Sequence, residues 1–260
     1  MVRKILAGTD GSDTATLALS HAAHLAGRLG AELTVVTAHE GGGAAGAGPN
    51  DVGRVIAGAL LRDAEKGHGD RVRIETRAAA GSAADVLVDL AEQEGFDLVV
   101  VGNRGLSHAS SLRPASVPSR VTRRAPAAVL VVDTVGGRAP RYGRILAGTD
   151  GSATAARAVG MGMELADSLH SELELATVVS SKRDGRRVLE ALRAAWPDTM
   201  THVLEGEASE SLSDLAESGA YDLLVVGNKG MTGLRRALGS VPARVLRRAP
   251  TNVLIVHTTG

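Results

Sequence analysis

The segment ILAGTDGS occurs twice, at Ile5–Ser12 and again, letter for letter, at Ile145–Ser152. The echo continues downstream. Val100-Val101-Gly102-Asn103 returns as Val225-Val226-Gly227-Asn228, and Ser116-Val117-Pro118 as Ser240-Val241-Pro242. Arg123-Arg124-Ala125-Pro126 matches Arg247-Arg248-Ala249-Pro250, and Phe96-Asp97-Leu98 matches Tyr221-Asp222-Leu223. A chain of 260 residues that repeats itself at this spacing reads as two homologous domains of roughly 130 residues, a common domain size. The expected boundaries are 1–135 for the first domain, 136–142 for a linker marked by Gly136, Gly137 and Pro140, and 143–260 for the second. Each copy serves as an internal control for the other.

Hydrophobic patterning supplies the fold class. Val2 to Ala7 is short, apolar and ends at Gly8-Thr9-Asp10-Gly11, as a buried strand does. Thr14 to Arg28 has helical spacing, with Ser12 or Asp13 as cap. Leu33–Thr37 follows as a strand, 39–50 as a Gly/Ala-rich loop and Val52–Lys66 as a helix. Arg71–Arg77 reads as a strand, Ala83–Gln93 as a helix, Asp97–Val101 as a central strand, Pro118–Arg124 as a short helix and Ala128–Val132 as the last strand. Strict alternation of strand and helix implies a mostly parallel five-stranded open sheet with helices on both faces, twice over. Equivalent residues are offset by 140 early and by about 125 later. The second copy is therefore shortened in its middle, where one helix covers 184–196.

Composition removes several function classes. Lys plus Arg and Asp plus Glu number 29 each, so no net field draws the chain to nucleic acid or an anionic membrane. Phe96, Tyr142, Trp196 and Tyr221 are the only aromatic residues, too few to stack a single strand. Any bound base must lie on aliphatic side chains and backbone. Without cysteine there is no disulfide, thiolate nucleophile or Cys-ligated metal. The start, MVRKILAGTD, carries too short an apolar run for a signal peptide, and no run reaches membrane-spanning length. A cytoplasmic location is expected.

In an open parallel sheet, ligands bind beyond the carboxyl ends of the strands, near the point where strand order reverses. Two repeated segments fall there. Thr9-Asp10-Gly11-Ser12 and Thr149-Asp150-Gly151-Ser152 follow strand one, where each Asp reads equally as a turn residue or as a carboxylate that accepts a ligand hydroxyl. Gly102-Asn103-Arg104-Gly105 and Gly227-Asn228-Lys229-Gly230 follow strand four. They lead to a helix start with Ser and Pro in its first turn, which is suited to an anion. No P-loop occurs in the chain, and these segments are not the G-x-G-x-x-G fingerprint.

These residues resemble the universal stress protein family, in its tandem two-domain form, over essentially the whole chain. The resemblance implies a Rossmann-like fold of the adenine nucleotide alpha hydrolase type. It also implies an ATP-binding signature of Gly, two residues, Gly, nine residues, then Gly and Ser or Thr. By resemblance, Asp10 and Asp150 look like the ribose and base contacts, and Ala38 and Val178 like the adenine-side aliphatics. Gly102, Gly105, Ala115, Ser116 and Val117 look like the phosphate cradle of one copy, and Gly227, Gly230, Gly239, Ser240 and Val241 like that of the other. Both copies depart from the signature. Position 115 is Ala in the first, and only eight residues separate Gly230 from Gly239 in the second. Arg235 and Arg236 in the second loop could meet phosphates, which favours the second site slightly.

The resemblance further implies ATP, with or without Mg²⁺, as ligand and a regulatory role in stress responses. It implies an intramolecular pair of the two domains through their last strands, with a homodimer as a further option. The expected output is a ligand-dependent conformation read by a protein partner. The alternatives are a slow ATP hydrolase and a scaffold whose sites have decayed. No Ser-His-Asp arrangement or G-x-S-x-G elbow supports an enzyme. His21 and His24 share a helix, but no third metal ligand accompanies them. The paired arginines 123–124 and 247–248 read as solvated helix ends, and Phe96 and Tyr221 as packing residues at the far end of strand four.

Overall fold

The computed structural model describes residues 1–39, 72–103, 116–179, 182–228 and 240–257. The chain divides into two compact units, Val2–Pro140 and Arg141–Gly260. The first contains β1 (Lys4–Gly8), α1 (Asp13–Leu29), β2 (Glu32–His39), β3 (Ile74–Ala80), α2 (Ala83–Glu94), β4 (Leu98–Gly102), α3 (Val117–Arg124) and β5 (Ala128–Val132). The second contains β6 (Arg144–Gly148), α4 (Ala153–Leu169), β7 (Glu172–Val179), α5 (Lys182–Ala195), β8 (Thr201–Glu205), α6 (Ala208–Ser218), β9 (Leu223–Gly227), α7 (Ser240–Arg248) and β10 (Asn252–Val256). The loop expected after His39 and the helix expected over 52–66 lie outside the described residues.

Strand order in the first unit is β3-β2-β1-β4-β5, and every pairing is parallel. In the second unit it is β8-β7-β6-β9-β10, again all parallel. Order reverses between β1 and β4 in one unit and between β6 and β9 in the other, so a crevice opens beyond the ends of those strands. Successive strand residues point to opposite faces, and β6 shows which helix covers which. A Cβ added at Gly162 of α4 would lie 3.8 Å from Ala147, whereas one added at the next strand residue, Gly148, would lie 3.0 Å from Leu212 of α6. Helices α4 and α6 therefore cover opposite faces.

The central strands are buried on both sides. Val99, Val100, Val129 and Val132 are wholly buried in the first unit, as are Leu224, Val225 and Ile255 in the second. This explains why they read as unbroken apolar runs. Each such side chain removed from water contributes roughly 1.5–3 kcal/mol before chain entropy is counted. Strand β3 differs from its sequence reading: it begins at Ile74 because the ladder pairs Leu33 with Ile74 and runs to His39 opposite Ala80. Its last residues, Ala78–Ala80, carry no β-branched signal, so a local pattern stops short of them.

Helix ends follow local chemistry. Ser12 and Ser152, rather than Asp13 or the preceding Asp residues, cap α1 and α4 by accepting Ala15 N–H and Ala155 N–H, each at 3.2 Å. Helix α1 ends on Gly30 at φ 65°, and α4 ends on His170 at φ 56°.

Candidate functional site

The turn after the first strand of each unit is braced by its own side chains. Thr9 N–H donates to Val36 O at 3.0 Å, which fixes the end of β1 against β2. Gly11 N–H donates to Thr9 Oγ1 at 3.2 Å, and Ser12 N–H donates to Asp10 Oδ1 at 3.1 Å. The second unit repeats this pattern: Thr149 N–H to Ala176 O at 2.9 Å, Gly151 N–H to Thr149 Oγ1 at 3.2 Å, and Ser152 N–H to Asp150 Oδ1 at 3.0 Å. Gly11 and Gly151 sit at φ 80° and 75°, a region that a side chain would strain. The turn role of each Asp is thus real, and both residues remain exposed at the carboxyl edge of the sheet.

In the second unit these elements enclose a cavity of about 230 Å³. Asp150, Val178, Gly227 and Val241, all expected from the sequence, line it. Thr149 and Pro242, from the two repeated segments, line it too, as do residues that the sequence did not single out: Gly148 at the end of β6 and Leu212 on α6. Leu212 has no signal beyond helical periodicity. Only the packing of α6 on the sheet brings it to Gly148, where an added Cβ would lie 3.0 Å from Leu212 Cδ1 and 3.3 Å from Val226 Cγ1. Most of the lining is aliphatic, with Thr149, Asp150 and Ser152 as its polar residues.

The first unit places its counterparts on the same elements. Asp10 follows β1, Ala38 lies near the end of β2, Gly102 ends β4, and Ser116 and Val117 open α3. Gly105, Ala115, Gly230 and Gly239 lie outside the described residues, as does the side chain of Ser240. Ser116 carries an unexpected feature. It occupies the N-cap of α3 with φ −67° and ψ 154°, yet its hydroxyl makes no capping bond. The Oγ atom is buried and has no hydrogen-bond partner among the described residues. A Ser at this position normally satisfies one of the first helical N–H groups, and Ser116 does not make that bond.

Two further side chains tie the crevice to the last strand. Asn103 Nδ2 donates to Asp133 Oδ1 at 3.1 Å, while its Oδ1 accepts from Thr134 N–H at 3.1 Å and Thr134 Oγ1 at 2.6 Å. Asn228 Nδ2 lies 3.0 Å from His257 Nδ1. The repeated Gly-Asn pair was visible in the sequence, but its partner one strand away was not.

Residues set apart from the site have their own roles. His21 is buried, and its Nε2 lies 3.1 Å from Arg138 O. The carbonyl can only accept, so Nε2 carries the proton. Burial lowers this imidazole's pKa, and the backbone bond opposes that shift. The paired arginines are not simply solvated. Arg124 bonds Asp85 of α2, and Arg248 lies 2.8 Å from Glu210 and 3.4 Å from Asp214 of α6. Arg120 reaches Asp85 at 2.7 Å. The Ser82 hydroxyl, followed by Arg124 and Arg120, holds the Asp85 carboxyl well below the usual range. Phe96 and Tyr221 are buried as expected, under Lys4 at 4.9 Å and Arg144 at 4.6 Å.

The fold recurs in solved proteins. A functionally unknown protein, PA1789 from Pseudomonas aeruginosa PAO1, covers 98% of this chain and 92% of its own length at a TM-score of 0.74 and 19% identity. A universal stress protein from Archaeoglobus fulgidus covers 98% and 96% at 0.72 and 18%. A universal stress protein solved in complex with cAMP is 37% identical and covers 45% of this chain and 98% of its own, at 0.38. By sequence, universal stress protein Rv1636 of Mycobacterium tuberculosis is 38% identical over 142 residues, which is 51% of this chain and 97% of that protein. The model of the universal stress protein family matches residues 1–133, 141–190 and 182–257. The chain belongs to the universal stress protein family.

Proposed function

We propose that the protein binds an adenine nucleotide in these crevices and acts as a regulator through the bound conformation rather than by turnover. The observation that carries this reading is the buried Ser116 hydroxyl, which sits at a helix N-terminus without a partner among the described residues. A phosphate oxygen at that point would accept from the hydroxyl and from the first helical N–H groups, with the helix dipole favouring its charge. The second unit supports the other half of the ligand. Its cavity of about 230 Å³ offers Val178 and Leu212 to a base and the Asp150 carboxylate to a ribose hydroxyl. That volume falls below the usual range for a whole drug-sized ligand. It suits a nucleoside moiety whose phosphates extend toward the start of α7. Mg²⁺, where it is needed, would neutralise phosphate charge.

A role in stress regulation, a cytoplasmic site of action, pairing of the two units and a protein partner all belong to this proposal. Among the described residues, no helix is long and apolar enough to cross a membrane. The test is calorimetric titration of nucleotide-free protein with ATP, with and without Mg²⁺, on the wild type and on Asp10→Ala and Asp150→Ala. Heat that saturates with one or two sites per chain, and is reduced by one of the two substitutions, is the expected result. Titrations that stay flat up to millimolar ATP would sink the reading and leave a scaffold with decayed sites.

A further inference from the structure

Helices α6 and α7 together form one wall of the second crevice, Leu212 coming from the first and Val241 and Pro242 from the second. Outside the cavity the same two helices are joined by charge. Arg244 of α7 lies 3.0 Å from Glu207, the N-cap residue of α6. One turn on, Arg248 reaches Glu210 and Asp214. The first unit has the same device with different acids: Arg120 and Arg124, also one turn apart on α3, converge on Asp85 in the first turn of α2. Glu207, Glu210 and Asp85 stand at the positive end of one helix, and Arg124 and Arg248 stand at the negative end of the other, so these charges also suit their own helix dipoles.

We infer that Arg120 and Arg244 are positioning residues for ligand binding: they clamp the helix that opens the crevice to the helix that walls it, and they act without touching the ligand. This inference rests on the nucleotide reading above. The clamp fixes the spacing of the wall on which the base lies and the placement of the helix start at which phosphate is expected. Both parts of a nucleotide should therefore feel its loss equally.

The test measures dissociation constants for ATP and for adenosine on the full chain. It uses the double variant Arg120→Gln with Arg244→Gln, and the matched Arg120→Lys with Arg244→Lys. Loss of both clamps is expected to weaken ATP and adenosine by the same factor, about fivefold, the scale available from partly exposed ion pairs. The lysine pair is expected to recover most of it. Weakening of ATP alone would overturn the inference, because it would make the arginines direct phosphate contacts. A lower melting temperature with unchanged dissociation constants would overturn it as well, by reducing the clamp to a stability device. Should the glutamine variant fail to fold, Asp85→Asn with Glu207→Gln removes these pairs from the acid side, together with the Arg124 pair, and equal weakening of ATP and adenosine is again the expected result. A wild type that binds neither ligand removes the nucleotide reading itself, an outcome distinct from a wild type that binds and a variant that binds equally well.

Discussion

Tyr221 donates its phenol hydroxyl to Glu174 Oε2 at 2.7 Å, and this bond organises the end of the second sheet opposite the crevice. His202 Nε2 lies 2.6 Å from the same oxygen, and Arg144 Nη2 lies 2.7 Å from the other. The Glu174 side chain is 10% exposed, so a charge there needs all of these partners. Burial pushes its carboxyl pKa up, but the bonds from His202, Tyr221 and Arg144 outweigh burial and hold it down, from 4.5 to about 2. A folded-state value below the ordinary one stabilises the fold above pH 4.5, and that stability is lost as pH falls toward about 2. Acid unfolding followed by circular dichroism should therefore show a stability slope in this window, and Glu174→Gln should flatten it. Tyr221→Phe, which restores the residue that the first unit has in Phe96, is expected to cost about 1–2 kcal/mol at neutral pH. An unchanged acid slope in Glu174→Gln would refute the assignment.

Helix ends in the two units differ in a way that predicts a gain. The first unit ends α1 and α2 on Gly30 and Gly95, at φ 65° and 64°. At the equivalent points the second unit holds His170 at φ 56° and Ala220 at φ 50°, both exposed. A side chain in the left-handed region crowds its own backbone. Ala220→Gly should raise stability by about 1 kcal/mol, and His170→Gly by less, because His tolerates this region better than Ala. Urea unfolding measures both, and a loss in Ala220→Gly would contradict the strain argument.

Ser116→Ala separates binding from stability. Its hydroxyl makes no bond among the described residues, so removing it should leave unliganded stability unchanged or higher by up to about 1 kcal/mol. The nucleotide-induced rise in melting temperature should shrink, since that rise reports only ligand bound to the native state. A melting curve with and without ATP reads both. An undiminished shift in the variant would mean that the hydroxyl faces no ligand.

Gly148→Ala tests the crevice floor. The added methyl would stand 3.0 Å from Leu212 Cδ1 and 3.3 Å from Val226 Cγ1, closer than ordinary packing allows. Overpacking of this kind costs about 1–3 kcal/mol. Any displacement of Leu212 enters the cavity, so nucleotide affinity at the second site should fall along with stability. Equilibrium unfolding and calorimetry on the same preparation check the pair of effects.

The repeat of ILAGTDGS determined two copies of one fold, and the alternation of apolar runs with helical periods determined a parallel sheet in each. These are local properties: a strand buried on both faces must be apolar throughout, and Ser12 needs only its own helix to cap it. The sequence also placed Asp150 and Gly227 at one end of the sheet, because strand ends carry turn chemistry, while Val178 and Val241 were indicated there by the family resemblance. Tertiary structure alone decided which of these face a cavity, that Leu212 closes its floor, and that β3 reaches Ala80. It alone left the Ser116 hydroxyl without a bond among the described residues and gave Arg124 and Arg248 partners on the neighbouring helix. The physical reason is common to all of them. Periodicity tells which face a residue takes, but its neighbour on that face is set by ladder register and helix packing between segments far apart in the chain, and no local pattern encodes that distance.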